Sequence, residues 1–550
     1  MSLWRSRAAL LISLACGLVS GGCGGGDSQP SAERGVRVVP VVSEEVRHQL
    51  LDGAISVLRR LDEFREPAAY AQVFDRLNQW SHAGIGEPEW SLPPLLDTLP
   101  PSLAGLVSER SLAASVFNAE DDPVFLRDQR WLADLADRIR GDAIDDLETA
   151  RRLFAWTVRS LAADSDPPAT PTDRNPGSRW FLPGEILLSG RASPPQRAWI
   201  FLELLRHAGI DGVMLGTYDA SAGDEPKPSA VVAWVPAVIS GGEAWLFEPA
   251  YGIPIPAADG KGVASLREAR ENPAVLAALD VAGRRYPVRS DDLTRLVLLV
   301  PGTPQTLSRR MRQVEQQLAG ANAMRVSLDV TRLVERAGEP LALDGDPPPA
   351  LLWRFPWEVL EARRSRMAAV AGAIAGELAG MAVELADPEN RRQAPGNFRP
   401  LFAGRVREFR GDLSGPQGAK RAYLAARPGR RRIREIIAGA PPDRREAVGI
   451  VIERMKEDAT YWLGLLTLEE GEYGAAIDFL DRMTLDARPD GRWADAARVN
   501  VATAYAAEGR LERAIALLEA DESPQRYGSR IRAERLRRET IAAAAGQPDR

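Results

Sequence analysis

Apolar residues recur at helical spacing in several segments of the chain. The first segment, 46–64, has its apolar positions at Leu50, Leu51, Ile55, Leu58 and Leu61. Residues three or four apart lie on one side of a helix, so this spacing gives an amphipathic helix with a single apolar face. Segments 131–140, 145–161 and 196–208 show the same period. The pattern therefore predicts helices at all four segments.

Two later segments have the character of strands instead. Segments 230–239 and 244–247 are short, apolar and rich in valine and aromatic residues, which favour extended backbone. Gly241 and Gly242 lie between them, and a pair of glycines between two such runs is typical of a tight hairpin turn. The sequence predicts two antiparallel strands here.

Strand and helix patterns alternate further along the chain. Segments 296–300 and 325–330 predict strands, and segment 307–318 between them predicts a helix. Three aromatic residues that follow are interpreted as core or interdomain packing, with a binding face as the alternative: Trp353, Phe355 and Trp357. Together with the hairpin and the amphipathic helices, these patterns predict the α+β fold class.

The carboxyl-terminal part contains an internal repeat. Segment 459–483 aligns with segment 500–521, so that glycine matches glycine and alanine matches alanine at the same offset. The repeat resembles the tetratricopeptide repeat, although its period exceeds the usual length of about 34 residues. The resemblance implies paired helices packed closely through small residues such as Ala476 and Ala514. It also implies a concave face that binds a protein or peptide partner, and a tail removable at about Arg430 without unfolding the preceding domain.

Composition and charge exclude several classes of function. The chain has 550 residues, with 70 Lys and Arg against 76 Asp and Glu, so its net charge of −6 gives no electrostatic reason to expect nucleic-acid binding. Its two cysteines, Cys16 and Cys23, both lie near the amino terminus. A disulfide, a thiolate zinc site or a cysteine nucleophile is therefore excluded from the rest of the chain. The three histidines, His48, His82 and His207, are widely separated, so we predict no metal site and no cofactor.

The amino terminus has the features of a secretory signal. Arg5 and Arg7 precede an apolar run at 8–19, and small residues then lead to Cys23. This arrangement resembles the lipobox of bacterial lipoproteins, which implies acylation of Cys23 and anchoring to a cell-envelope membrane on the periplasmic side. An ordinary cleaved signal with a coincidental cysteine is the alternative.

Three further motifs resemble the transglutaminase-like superfamily, whose fold is papain-like. The predicted helix at 196–208 leads into Leu204-Leu205-Arg206-His207-Ala208-Gly209-Ile210, the first strand reads Val232-Ala233-Trp234-Val235, and the second ends Phe247-Glu248-Pro249. The resemblance covers residues 120–260, under a third of the chain. The whole chain is then predicted to contain a signal peptide (1–22), a flexible tether (23–44), a helical amino-terminal region (45–120), a transglutaminase-like domain (121–290), an α/β linking region (291–429) and tetratricopeptide-like repeats (430–550).

The three catalytic positions of that superfamily have each lost their chemical group in this sequence. Pro194 stands where the resemblance implies a cysteine, Val232 where it implies a histidine, and Glu248 where it implies an aspartate. The family mechanism needs a thiolate nucleophile, an imidazole that carries the proton and a carboxylate that orients the imidazole. We therefore predict a protein without transglutaminase catalysis, acting in binding or assembly at the cell envelope.

Two alternatives stay open on the sequence alone. The first is a hydrolase or amide-transfer enzyme that uses Ser193 or Glu248. His207 could accept the proton of Ser193 only if the helix between them bent, because a separation of almost four turns is about 21 Å. The second is a cleft that still binds a peptide or a peptidoglycan stem without cleaving it. That reading predicts an open, polar-lined cleft beside Pro194 and Val232, whereas a cleft filled by Trp199 and Trp234 would contradict it.

Overall fold

The computed structural model describes residues 43–83, 86, 88–164, 180–218, 227–385 and 398–545. The predicted signal peptide, Cys23 and the tether as far as residue 42 lie outside these residues, so export and lipidation stay predictions. Among the described residues, no helix has both the length and the apolar character needed to cross a bilayer.

The chain is α+β, as predicted, and helices dominate its first part. The amino-terminal helices are α1 (Glu44–Arg59), α2 (Glu66–His82), α3 (Pro101–Ala104), α4 (Glu109–Ala113), α5 (Asp122–Arg140), α6 (Asp146–Ser160), α7 (Pro183–Ser189) and α8 (Pro194–Ala208). Helix α1 begins at the side chain of Ser43, which accepts a hydrogen bond from the backbone of Val46, and acidic residues in its first turn offset the helix dipole. The four helices predicted from periodicity in this region are confirmed.

The strands form one large mixed sheet and one short pair. They are β1 (Ala162–Ala163), β2 (Arg191–Ala192), β3 (Asp211–Tyr218), β4 (Val231–Ser240), β5 (Glu243–Glu248), β6 (Ile253–Pro254), β7 (Leu296–Val300) and β8 (Ala350–Leu352). The large sheet has the order β6-β5-β4-β3-β7-β8, and β7 and β8 are its one parallel pair. The predicted hairpin is confirmed as β4 and β5, and both of its glycines have positive φ, as a tight hairpin turn requires.

The middle of the chain differs from the sequence prediction at one strand. Its helices are α9 (Leu266–Glu271), α10 (Pro273–Ala277), α11 (Arg309–Gln317), α12 (Val330–Leu341), α13 (Arg354–Ser365), α14 (Met367–Glu377), α15 (Pro400–Arg410) and α16 (Ala419–Ala425). The strand predicted at 325–330 is wrong, because this segment leads into α12. Asp329 accepts a hydrogen bond from the backbone of Arg332 and begins that helix.

The large sheet lies between two layers of helices. Successive side chains of a strand point to opposite faces, so a strand covered on both faces has no polar position. In β7, Val297 and Leu299 pack into one core, and the alternate residues Leu296, Leu298 and Val300 pack into the other. Helix α8 covers the first face, whereas α9 and α12 cover the second.

The carboxyl-terminal part is helical and contains the predicted pairs. Its helices are α17 (Arg430–Gly439), α18 (Arg445–Glu469), α19 (Tyr473–Ile477), α20 (Ala494–Ala507), α21 (Leu511–Glu519) and α22 (Arg526–Ala545), with π-helical backbone at Asp478–Leu485. Gly471 and Gly509, which match in the repeat, both have φ of 76° just after a long helix. Ala476 and Ala514 are both fully buried. The turns and the buried alanines therefore match between the two pairs, whereas the π-helical backbone belongs to the first pair alone.

These helical pairs share the larger core with the sheet and with α5–α8. Trp462 and Trp493 lie against Gly190, where an added Cβ would stand 3.1 Å from Trp462 Nε1. Glu469 of α18 makes an ion pair with Arg159 at 3.3 Å. The predicted boundary at residue 430 is therefore crossed by core packing, so we expect the tail not to be separable.

We expect Ala514→Leu to lower the free energy of unfolding by about 1–3 kcal/mol, because a larger side chain overpacks a close helix contact. Chemical denaturation of the purified protein measures the change. Ala516→Leu is the matched control, since Ala516 lies on the exposed side of the same helix. Equal stability of the two variants would contradict the close packing of α21.

Candidate functional site

A cleft of about 360 Å³ opens where the amino terminus of α8 meets β4, β5 and the connection from β8 to α13. Its walls are mainly proline, aliphatic and aromatic side chains from Pro194, Pro195, Met214, Pro228, Val231, Trp234, Pro249, Leu351, Trp353 and Phe355. The aromatic rings of Trp353 and Phe355 stack with their centroids 5.5 Å apart. Trp353 and Phe355 are themselves only 3% and 6% exposed, and Trp357 is fully buried in the core.

The structure brings together two of the three positions aligned with the superfamily's catalytic residues. Pro194 and Glu248 both line the cleft. Val232 does not, and its side chain is 68% exposed. Val231, Ala233 and Trp234 are the residues of β4 that line the cleft.

A β-bulge in β4 accompanies this placement. Gly216 of β3 pairs with Ala233, and Met214 pairs with Pro236, so two residues of β4 stand opposite one residue of β3. A bulge re-aims the side chains beside it. Trp234 therefore faces the cleft together with Ala233, although strict alternation would place neighbours on opposite faces. Sequence spacing could not show this irregularity.

Glu248 is the buried polar group of the cleft. Its residue is 5% exposed, and its carboxylate accepts hydrogen bonds from the hydroxyl of Tyr286 and from the backbone N–H of Ala250 at 2.9 Å. Burial raises the pKa of the Glu248 carboxyl above its ordinary value, and the hydrogen bonds from Tyr286 and from the backbone of Ala250 and Tyr251 oppose that rise. The Tyr286 hydroxyl and the backbone of Ala250 thus hold the Glu248 carboxylate in place.

Sequence analysis missed the role of Tyr286. Its hydroxyl connects two walls of the cleft, because it donates to Glu248 and accepts a hydrogen bond from Trp234 Nε1 at 2.8 Å. Tyr286 lies outside the segments that carry the superfamily resemblance. Its isolated position in a polar stretch gives no signal that could have placed it beside Glu248.

Ser193 and His207 lie at opposite ends of α8. Ser193 is buried at the first turn, where its backbone N–H donates to Gln196 Oε1 at 3.0 Å. Among the described residues, neither histidine nor lysine hydrogen-bonds its Oγ. A serine without such a contact has no base to activate it.

His207 has its own partners far from the cleft. Its Nδ1 accepts from the backbone N–H of Arg325 at 3.3 Å, so its Nε2 donates to Gln129 Oε1 at 2.8 Å. Burial and three nearby arginines lower the pKa of His207 well below its usual range. The imidazole is therefore neutral and holds α8 to its neighbours.

Arg197 is a buried cation behind the cleft. It donates to backbone carbonyl oxygens of Leu161 at 2.6 Å, Pro249 at 3.2 Å and Val158 at 3.4 Å. Burial lowers its pKa to about 10. Because these carbonyls occupy its guanidinium, Arg197 fixes the segment after Glu248 in place and does not face a ligand in the cleft.

The mouth of the cleft carries a half-exposed ion pair. Arg354 and Glu358 approach to 3.6 Å, and Arg354 also donates to the carbonyl oxygen of Pro228 at 3.2 Å.

Within the described residues, no three side chains of histidine, cysteine, aspartate or glutamate are grouped as metal ligands. Comparison of the chain with protein-family models, with curated proteins and with solved structures gives no match.

Proposed function

We propose that this chain is an exported, lipid-anchored protein of the transglutaminase-like type that binds an extended peptide in the cleft without cleaving it. The single observation that carries the proposal is an open apolar cleft in which Pro194 and Glu248 stand at two of the superfamily's three catalytic positions. Neither proline nor glutamate supplies a nucleophile of the thiol type. The polar lining expected for such a cleft is wrong, because proline, aliphatic and aromatic side chains form most of its walls.

The tryptophan residues distinguish an open cleft from a filled one. Trp199 is 3% exposed and packs edge-on against Phe355 in the core. Trp234 forms part of a wall and is held there by Tyr286. The space between the walls is therefore free, and its volume of about 360 Å³ falls within the range of ligand pockets.

The lining also indicates the chemical class of the ligand. Proline and aromatic surfaces favour apolar side chains and extended, proline-like backbone. The polar groups at the mouth, Arg354 and Glu358, can orient the peptide by hydrogen bonds. An extended peptide with apolar side chains meets both requirements, and a peptidoglycan stem is the alternative that the polar groups at the mouth would hold.

One observation favours a second candidate, a hydrolase. Glu248 lines the cleft, and burial raises the pKa of its carboxyl, as catalytic acids require. In this candidate, Glu248 donates or accepts the proton and water is the nucleophile. Glu248→Gln removes that proton transfer while keeping the shape of the side chain, so it abolishes hydrolysis but leaves peptide binding in place.

The proposal is tested by filling the cleft. We expect Ala233→Trp to weaken binding of peptidoglycan fragments at least about tenfold, because Ala233 faces the cleft. Calorimetry with purified muropeptides, and with a proline-rich decapeptide as a second probe, measures the affinity. Val232→Trp is the matched control, since Val232 is the next residue in the strand and its side chain is exposed outside the cleft.

Three results of this experiment would speak against peptide binding in the cleft. Failure of both probes to bind the unmodified chain would exclude both peptide classes. Equal affinity of the two tryptophan variants would place the ligand elsewhere. Cleaved probe, detected by mass spectrometry and lost in Glu248→Gln, would establish the hydrolase instead.

A further inference from the structure

The segment immediately after Glu248 lies between the cleft and the final helix. Pro249 and Ala250 line the cleft, and the next residues are in contact with the region around α22. Gly528 of α22 is so close to Tyr251 that a Cβ at position 528 would overlap the Tyr251 carbonyl oxygen. Only a residue without a side chain permits this approach.

The opposite surface of the same contact also requires glycine. Gly252 has φ of 66°, and an added Cβ would stand 3.3 Å from Gln525 Oε1 and 2.9 Å from Val158 Cγ1. Glycine therefore occurs on both sides of the interface between the Glu248 segment and α22. At Gly528 the two backbones are in direct contact, whereas Gly252 lies against the side chains of Val158 and Gln525.

A series of aromatic contacts connects the same helix to the cleft walls. The ring of Tyr527 lies 5.7 Å from that of Tyr251, which in turn lies 5.5 Å from Tyr286 in an edge-on arrangement. Tyr286 donates its hydroxyl proton to Glu248 and accepts from Trp234. The path from α22 to two walls of the cleft is thus continuous, and each step is a direct contact.

We infer that α22 is a structural part of the cleft, and that Gly528 and Tyr527 position Glu248 and Trp234 through Tyr251 and Tyr286. A displacement of α22 moves the Tyr251 backbone, the ring packed on it and the hydroxyl that orients Glu248. A ligand that fixes the cleft walls also stabilises the docked position of α22, because coupling between two sites is reciprocal. The direct contacts alone support this positioning of Glu248 and Trp234, whereas its effect on ligand binding rests on the proposed function.

The effect of α22 on Trp234 can be measured by ¹⁹F NMR without any ligand. The full mature chain is labelled with 5-fluorotryptophan, which gives one ¹⁹F signal for each tryptophan; removal of the predicted signal peptide with Trp4 leaves 12 of the 13. Trp234→Phe assigns the signal of interest. We expect Gly528→Ala to shift or broaden the Trp234 signal, because a methyl group displaces the Tyr251 carbonyl. Gly439→Ala is the control, since nothing lies within 4 Å of a Cβ at that position.

A gentler variant keeps the test decisive if Gly528→Ala fails to fold. Tyr527→Ala removes the ring contact with Tyr251 and leaves the helix backbone free of overlap. Circular dichroism establishes that each variant is folded. The inference would be overturned if Gly528→Ala and Tyr527→Ala both fold and both give the Trp234 signal of the unmodified chain. If Gly528→Ala does not fold, an unchanged Trp234 signal in Tyr527→Ala alone would overturn it.

Muropeptide affinity of the same variants separates this inference from the proposed function. We expect Tyr527→Ala to weaken muropeptide binding several-fold, and Gly439→Ala to leave it unchanged. A shifted Trp234 signal in a chain that binds no muropeptide would refute the proposed ligand and uphold the positioning. Unaltered affinity together with a shifted signal would refute the coupling between α22 and the ligand.

Discussion

Removal of residues 430–550 is expected to unfold the protein, because the tail completes the larger core. Trp462 and Trp493 are almost fully buried, and both lie against Gly190 of the sheet-bearing part. Loss of a single buried tryptophan side chain typically costs about 3–5 kcal/mol, which is comparable with the whole stability of many domains. The shortened chain should lack a cooperative thermal transition, measured by circular dichroism and by sensitivity to limited proteolysis.

A small deletion provides the control for this truncation. Removal of 546–550 leaves every described residue in place and should not change the melting temperature. A chain ending at residue 429 that melts cooperatively within a few degrees of the full protein would contradict the shared core. It would restore the separable tail that the repeat pattern predicts.

Asp122→Ala is expected to destabilise the protein by about 3–5 kcal/mol, because it leaves a buried arginine without its partner. Arg310 donates two hydrogen bonds to Asp122, at 2.7 and 2.9 Å, and Asp122 is fully buried. The carboxylate also accepts from the backbone N–H of Asn118 at 2.7 Å. Urea denaturation followed by fluorescence measures the loss.

An exposed ion pair of similar geometry gives the comparison. Arg152 donates to Asp142 at 2.8 Å, and Asp142 is exposed to solvent. Asp142→Ala should therefore change stability little, since water replaces the lost partner. The double variant Asp122→Leu with Arg310→Met should recover much of the lost stability, because it removes both buried charges. Equal losses in Asp122→Ala and Asp142→Ala would show that burial does not determine the effect.

The sequence predicts local elements well where one physical signal dominates. Helical period predicts α1 and α8, and a glycine pair between two apolar runs predicts the β4–β5 hairpin. It fails at segment 325–330, where a short apolar run is compatible with either a strand or a connection. The competing signal was Asp329, a helix-initiating residue whose effect depends on the backbone geometry around it.

The candidate site is predictable in part, for a reason specific to its geometry. Pro194 and Glu248 lie on regular elements whose positions follow from spacing, and both line the cleft. Val232 lies beside a bulge that spacing cannot reveal, so its exposed side chain is a structural finding. Tyr286 approaches Glu248 only through tertiary folding.

The contacts of the tail also determine when the chain can finish folding. Asn500 of α20 donates to the carbonyl oxygen of Arg159 at 3.1 Å, and Glu469 of α18 makes an ion pair with Arg159, so these contacts join residues hundreds of positions apart. Contacts of such long sequence separation slow folding, since the intervening loop must close first. On the inference that α22 positions Glu248, the wall that contains Glu248 reaches its final position only after α22 has docked. The cleft is then completed by the last helix of the described chain.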